Sequence, residues 1–398
     1  MSAAELRTRA LRSIRDVRKE DWNACLATNA APVMRWEWLD AMESSGSAIP
    51  NRGWTPLHLT AWSGQQLVGV APAYFKSHSM GEYIYDFSWA QAAGEMGVDY
   101  YPKLIIGAPL SPITGERFHA RTGTKLGDVR RALIGCARKT AEIAEGSSFH
   151  LLFPTDEEAT AACALEPRLF RRLTMQYHWS NQGFRTYDDY LARFTSKRRH
   201  QLRRERAAAA EQGITISTVR GKDIIEAHAD LAYRFYHSTS SKSGFGMIQL
   251  TREFFSRVFE SMPDVVEMVL AKRGDKVIAG AFNLAANRRL YGRYWGCFEE
   301  MPFLHFNVCL YHSIEDCIAR GFDAFEPGAG GEHKISRGFA PTAIHSAHFI
   351  VNPQLERLLK NAAGRERLHI RDILAMGEQV VGFKEIPNES VAHDDSNS

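Results

Sequence analysis

Apolar residues recur at Leu304, Val308, Tyr311, Ile314 and Ile318, the spacing of one helical face, and Gly321 stands where a left-handed residue ends a helix. Before this helix, residues 290–295 form an aromatic-rich run of strand length closed by Gly296; after it, residues 322–325 predict a short strand. Residues 58–62 and 66–75 flank Ser63-Gly64 as two strand-length runs around a turn, and residues 268–271 and 276–284 do the same around Gly274-Asp275. The two turn glycines lie 210 residues apart. Each hairpin follows an aromatic-bearing helical segment, 36–42 or 254–262, and leads to an aromatic strand, a helix and a further strand. Those are 83–89, 128–144 and 149–153 in the first copy, and 290–295, 304–320 and 322–325 in the second. An internal duplication is the economical reading. The expected fold is α/β, two tandem domains at 10–180 and 187–382, each a mixed, mostly antiparallel sheet flanked by helices, with 383–398 a mobile tail.

The remaining pattern fills in this frame. Residues 11–17 predict a strand and 20–26 a helix, and the 90–127 connection, with Tyr100-Tyr-Pro-Lys and Pro109–Gly115, is long and apolar enough to line a substrate cleft. A helix is expected at 155–165 and a strand at 172–178 that closes the first domain. Thr186 with Asp189 caps a helix over 187–194, and a second helix over 196–212 carries Lys197, Arg198, Arg199, Arg203, Arg204 and Arg206, relieved by Glu205 alone. Arg199, Arg203 and Arg206 share one face, where guanidinium forks suit phosphate; the alternative is a solvated face.

Composition narrows the function. The 398 residues are 44% apolar and 24% charged with a net charge of +3, as in a globular protein, and no apolar run reaches the length of a membrane helix. The basic start lacks the apolar core of a secretory signal, so the expected location is cytoplasmic. Six cysteines (Cys25, Cys136, Cys163, Cys297, Cys309, Cys317) lack paired spacing, which argues against metal and disulfide alike. The small net charge gives no reason to expect DNA. No G-x-S-x-G, P-loop, H-E-x-x-H or G-x-G-x-x-G motif occurs, leaving hydrolase, nucleotidase, zincin and dehydrogenase readings unsupported.

Candidate chemistry concentrates in residues 326–338, where glycines leave the backbone open between charged side chains. Glu332 and His333 are the candidates for proton transfer. Lys334 and Arg337 would face anionic groups, with Glu326 and His305 as further substrate contacts. Tyr291, Arg293 and Trp295 alternate onto one side of their strand as cleft lining. Glu82 and Asp86 are spaced to share one face of the first aromatic strand, where they could grip an amine or act as a base.

The chain resembles the FemAB-like N-acyltransferases, relatives of the peptidoglycan-bridge aminoacyltransferases built on the GNAT fold. The resemblance lies in Leu290-Tyr-Gly-Arg-Tyr-Trp-Gly, Leu304-His-Phe, Gly331-Glu-His-Lys and Arg337-Gly, and in Gly81–Ala90, Tyr100-Tyr-Pro-Lys-Leu, Pro112-Ile-Thr-Gly and His178–Phe184. It implies direct transfer of an acyl or aminoacyl group to an amine acceptor, with acyl-CoA or aminoacyl-tRNA as co-substrate and no tightly bound cofactor. In GNAT proteins the turn before the helix holds the donor's pyrophosphate. Here residues 296–303 lack the Gly-rich basic pattern and carry Glu299 and Glu300, which keeps tRNA open as donor and partner for the basic helix. A non-catalytic module recognising a peptidoglycan precursor or RNA is the second reading.

Overall fold

A computed structural model describes residues 6–143, 146–241, 248–377, 381 and 383. The proposed tail, apart from Phe383, lies outside the described residues. The strands are β1 (Arg7–Leu11), β2 (Trp54–Pro56), β3 (His58–Ser63), β4 (Gln66–Ala71), β5 (Ala73–Lys76), β6 (Lys103–Ile106), β7 (His119–Ala120), β8 (Ser148–Leu152) and β9 (Phe170–Ser180). They continue with β10 (Ile214–Arg220), β11 (Val266–Arg273), β12 (Lys276–Ala286), β13 (Arg289–Cys297), β14 (Ala324–Glu326) and β15 (Ala340–Ile350). Eleven form one mixed sheet in the order β10-β11-β12-β13-β14-β9-β15-β8-β6-β5-β2; β1, β3, β4 and β7 form a second.

The duplication is visible residue by residue. The β3–β4 hairpin slips register between Ala61 and Trp62, and the β11–β12 hairpin slips between Ala271 and Lys272, at the equivalent place. Gly64 and Gly274 both adopt φ +59°, the left-handed turn that glycine takes without a Cβ penalty. Residues 66–76 match the single strand β12, but Pro72 has no N–H for the ladder and divides the first copy into β4 and β5. Beyond the break, β5 joins the large sheet through β6, while β4 stays with β1, β3 and β7. This divides one expected sheet into two.

The halves are tied together at two places. β9, expected to close the first half, lies between β14 and β15, and β15 lies between β9 and β8, so each half's last strand reaches its counterpart. In that central pair Thr174 faces Ile344. The helices Trp36–Ser44 and Arg252–Ser261 also pack together, with Trp38 edge-on to Phe254 at 5.1 Å, inside a core cluster drawing on both halves.

Two expected elements differ. Residues 11–17 are not a strand: β1 ends at Leu11, and Ser13 and Asp16 form a capping box on a single helical turn. Residues 83–89 are not a strand either; Tyr83 has φ +64° and a helix runs over Phe87–Glu95. The strand equivalent to β13 is β6, since β5–β6 is antiparallel and β6–β8 parallel, as β12–β13 and β13–β14 are. The helices expected at 128–144, 155–165, 187–194 and 196–212 are present as Leu126–Ile143, Asp156–Leu165, Tyr187–Ala192 and Ser196–Glu211, Thr186 and Asp189 forming the expected capping box.

Candidate functional site: a cationic, aromatic cleft

The parallel strands β13 and β14 pair only as far as Tyr291 and Glu326, and the space where they part opens into a cleft of about 770 Å³. Register along β12–β13 runs from Phe282/Tyr294 to Asn283/Gly292, leaving Arg293 as the extra residue of a bulge. A bulge breaks the two-residue alternation. Arg293, Tyr294 and Trp295 therefore all line the cleft, whereas Tyr291, expected on the same side, is buried and outside the lining. The helix Glu226–Ser240 brings Tyr236 to the opposite wall. It crosses β13 so closely at Gly296 that a Cβ there would collide with the Phe235 carbonyl. Leu110 and Pro112 reach the cleft from the long connection, as expected, and Tyr83, Tyr85 and Phe87 form its mouth.

The loop after β14 supplies the chemistry. Gly328, Gly330 and Gly331 all take positive φ, and a helical turn over Glu332–Arg337 follows. Lys334 is buried and donates from Nζ to the Gly328 carbonyl at 2.8 Å. Among the described residues no carboxylate pairs with it, and burial lowers its amine to about 8. Arg293 Nη2 donates to the Leu110 carbonyl and, at 3.1 Å, to the Tyr294 hydroxyl, and its buried Nε has no partner among the described residues. Neither Asp nor Glu is among the described lining residues. The cleft thus offers two cations without a counter-ion in an aromatic surround.

His333 and His305 complete the wall, their rings 5.7 Å apart, with Trp295 4.4 Å from His305. Burial lowers His305 to about 4, and burial with the cations Lys334 and Arg337 lowers His333 below its usual range. Both shifts favour the neutral imidazole, more strongly at His305.

The other predicted site residues have different placements. Glu332 is exposed and outside the cleft lining. Arg337 does not face the cleft: it donates to the Glu205 carboxylate at 2.7 Å and to the Tyr311 hydroxyl at 2.8 Å, clamping the loop to the basic helix through the acid that lies among that helix's cations. Glu326 lies below the cleft floor, pushed up to about 7 by burial although Arg289 and the Thr114 N–H draw it down.

Glu82 and Asp86 are corrected most fully. Neither sits on a strand or lines the cleft; both are buried against Lys103 Nζ, at 2.8 Å and 2.5 Å. Burial pushes Glu82 up to about 7; for Asp86 the same burial is outweighed by Lys103, His150 and Ser79, which hold it at about 2. On the basic helix, Arg203 pairs with exposed Asp188 at 3.1 Å and Arg206 with Glu315 at 2.7 Å, while Arg199 meets only Ser196.

At the equivalent place in the first half the described residues leave little space. Beyond Ile106 and Leu151, where β6 and β8 part, Arg117 fills the space, donating to the carbonyls of Leu152 and Ile113, and a void of about 10 Å³ remains.

Paired hairpins, parallel central strands that part at a cleft, and exchanged final strands define a tandem GNAT-like α/β protein. Residues 13–385 match the FemAB-like family model, described as peptidoglycan biosynthesis/recognition, and the chain belongs to that family. No curated protein sequence matches it. Among solved structures it is similar in fold to FemX, with 12% identity, 89% of this chain and 100% of that one covered, and a TM-score of 0.50. It is also similar to L-PGS from Bacillus licheniformis (9% identity, 85% and 99% covered, TM-score 0.48). A third likeness is to a tandem GNAT protein from the clavulanic acid biosynthesis pathway (12% identity, 88% and 99% covered, TM-score 0.44). Among the described residues no helix is long and apolar enough to cross a membrane.

Proposed function

We propose that this protein is a transferase that moves an acyl or aminoacyl group from an activated donor, acyl-CoA or aminoacyl-tRNA, to an amine on an anionic acceptor. The observation that carries this reading is the cleft beside His333, where Arg293 and Lys334 have no acidic partner and no described lining residue is a carboxylate. The acceptor nitrogen attacks the donor carbonyl carbon, forming the C–N bond. The resulting oxyanion is stabilised by the Lys334 ammonium. Neutral His333 takes the amine proton. Collapse breaks the ester C–O or thioester C–S bond, and the imidazolium returns its proton to the leaving oxygen or sulfur. Glu332 is too far outside the lining to be the first choice of base.

The test is mass spectrometry of purified protein mixed with peptidoglycan precursors and either acyl-CoA or charged tRNA. A mass gain on the amine is the expected result. His333→Ala should slow it by roughly a hundredfold without abolishing donor binding. Binding of a precursor or RNA with no turnover of either donor would favour the recognition module.

The basic helix bears on which donor is used. Arg199→Glu with Arg203→Glu should leave thermal stability nearly unchanged, because exposed pairs contribute little. If tRNA is the donor, the double variant should bind it several-fold more weakly and with reduced salt sensitivity. Unchanged tRNA affinity would assign these side chains to solvent.

A further inference from the structure

A second chamber of about 390 Å³ adjoins the cleft and shares Trp295 and His305 with it. Its walls come from the end of β13, the turn that follows, and the end of the helix Glu226–Ser240. Cys297, Met301, Phe303, Leu304 and Phe306 make most of that surface apolar. The hydroxyls present are already engaged: Ser238 donates to the Phe235 carbonyl at 2.9 Å and Thr239 to the Trp295 carbonyl at 2.7 Å. His305 is neutral, and among the described residues no cation lines the chamber and the one acid that does, Glu300, is exposed. Glu299, the other acid of this turn, is turned away onto Arg273 and Lys276.

We propose that this chamber receives the apolar side chain of the transferred acyl group. Where GNAT relatives are expected to hold a pyrophosphate, the described lining residues offer no positive charge, whereas the chamber's continuity with the cleft past Trp295 and His305 places it next to the carbonyl that Lys334 and His333 would serve. At roughly 30 Å³ for each water-sized group, the chamber holds on the order of a dozen heavy atoms, enough for a medium aliphatic chain or an aromatic side chain and far more than an acetyl methyl. The inference rests on the transfer reading for its meaning, but the chamber can be tested without turnover.

The test is calorimetry of the full chain with N-acetylcysteamine thioesters carrying acetyl, butanoyl, hexanoyl, octanoyl and 6-aminohexanoyl groups. Binding should tighten about fourfold per added methylene until the chamber is full, the fold-change that burial of one CH₂ implies, and 6-aminohexanoyl should bind more weakly than hexanoyl. Met301→Trp, which fills the chamber, should weaken octanoyl binding at least tenfold while changing acetyl binding less than twofold; Met301→Leu should leave both close to wild type. A flat chain-length profile, tighter binding of the aminohexanoyl probe, or equal loss of both thioesters in Met301→Trp would each overturn the proposal. Chain-length-dependent binding in a protein that transfers nothing would retain the chamber and remove the transferase reading.

Discussion

Replacing Lys334 with Met should abolish transfer and yield a protein at least as stable as the parent. The buried amine is lowered from 10.5 to about 8 by desolvation. Folded and unfolded chains are both protonated below pH 8, so the folded state there carries the whole burial cost, about 3 kcal/mol from the size of that depression. As pH rises from about 8 to 10.5 the folded form loses its proton first and the cost disappears. Met has similar volume and no charge, and the Gly328 carbonyl it would leave unpaired lies in a partly exposed loop. Thermal denaturation at pH 7 should therefore show no loss of stability in Lys334→Met, and its advantage over wild type should shrink toward pH 10. The rate should fall at least a hundredfold, as for the loss of one oxyanion donor. Destabilisation with full activity would show that Lys334 is a structural cation.

Lys103→Met should have the largest effect on folding. Lys103 Nζ is fully buried and holds Glu82, Asp86 and the Ser79 hydroxyl together; Asp86 also accepts from the Tyr100 hydroxyl at 2.6 Å. Removing the cation leaves two carboxyl groups buried without their counter-charge, which costs about 3–5 kcal/mol. Residues 77–86, stapled by this network, carry Tyr83 and Tyr85 to the mouth of the cleft, so substrate binding should fail with it. Adding Glu82→Gln and Asp86→Asn to Lys103→Met should restore most of the stability, because neutral groups no longer need the ammonium. Equal melting temperatures for wild type and Lys103→Met would contradict this account.

These two lysines mark the limit of what sequence pattern reveals. The repeat was legible because each turn requires a left-handed glycine and each flanking run has strand periodicity, and the helix after β13 was legible from five apolar positions on one face. The run from Tyr83 to Trp89 misled because aromatic residues favour strands, whereas here the buried Lys103 captures Asp86 and a helix starts at Phe87. Its four-residue replacement, β6, lay hidden in a long connection. The exchange of β9 and β15 was also illegible, since strand pattern fixes which face is buried but not which distant strand becomes the neighbour.

Within the site, Arg293 and Trp295 came from strand alternation, His333 and Lys334 from the glycine-rich loop, and His305 from its place near a helix start; all five line the cleft. Tyr83, Tyr85, Tyr236 and Tyr294 were not singled out as cleft lining, because the segment held by Lys103 carries the first two there, the Glu226–Ser240 helix the third and the β13 bulge the fourth. Arg337 looked like a substrate contact for the same reason as Lys334, and only the fold distinguishes them: Glu205 pairs with Arg337, whereas among the described residues no acid pairs with Lys334.

The most direct test of the cationic transfer cleft is the pH dependence of kcat/KM for amine acylation in wild type and Lys334→Arg. Wild type should lose activity above about pH 8, where the Lys334 ammonium deprotonates. In Lys334→Arg, whose guanidinium remains charged, whatever activity survives should show no fall until well above that pH. Superimposable profiles for the two proteins would place the essential cation somewhere other than Lys334.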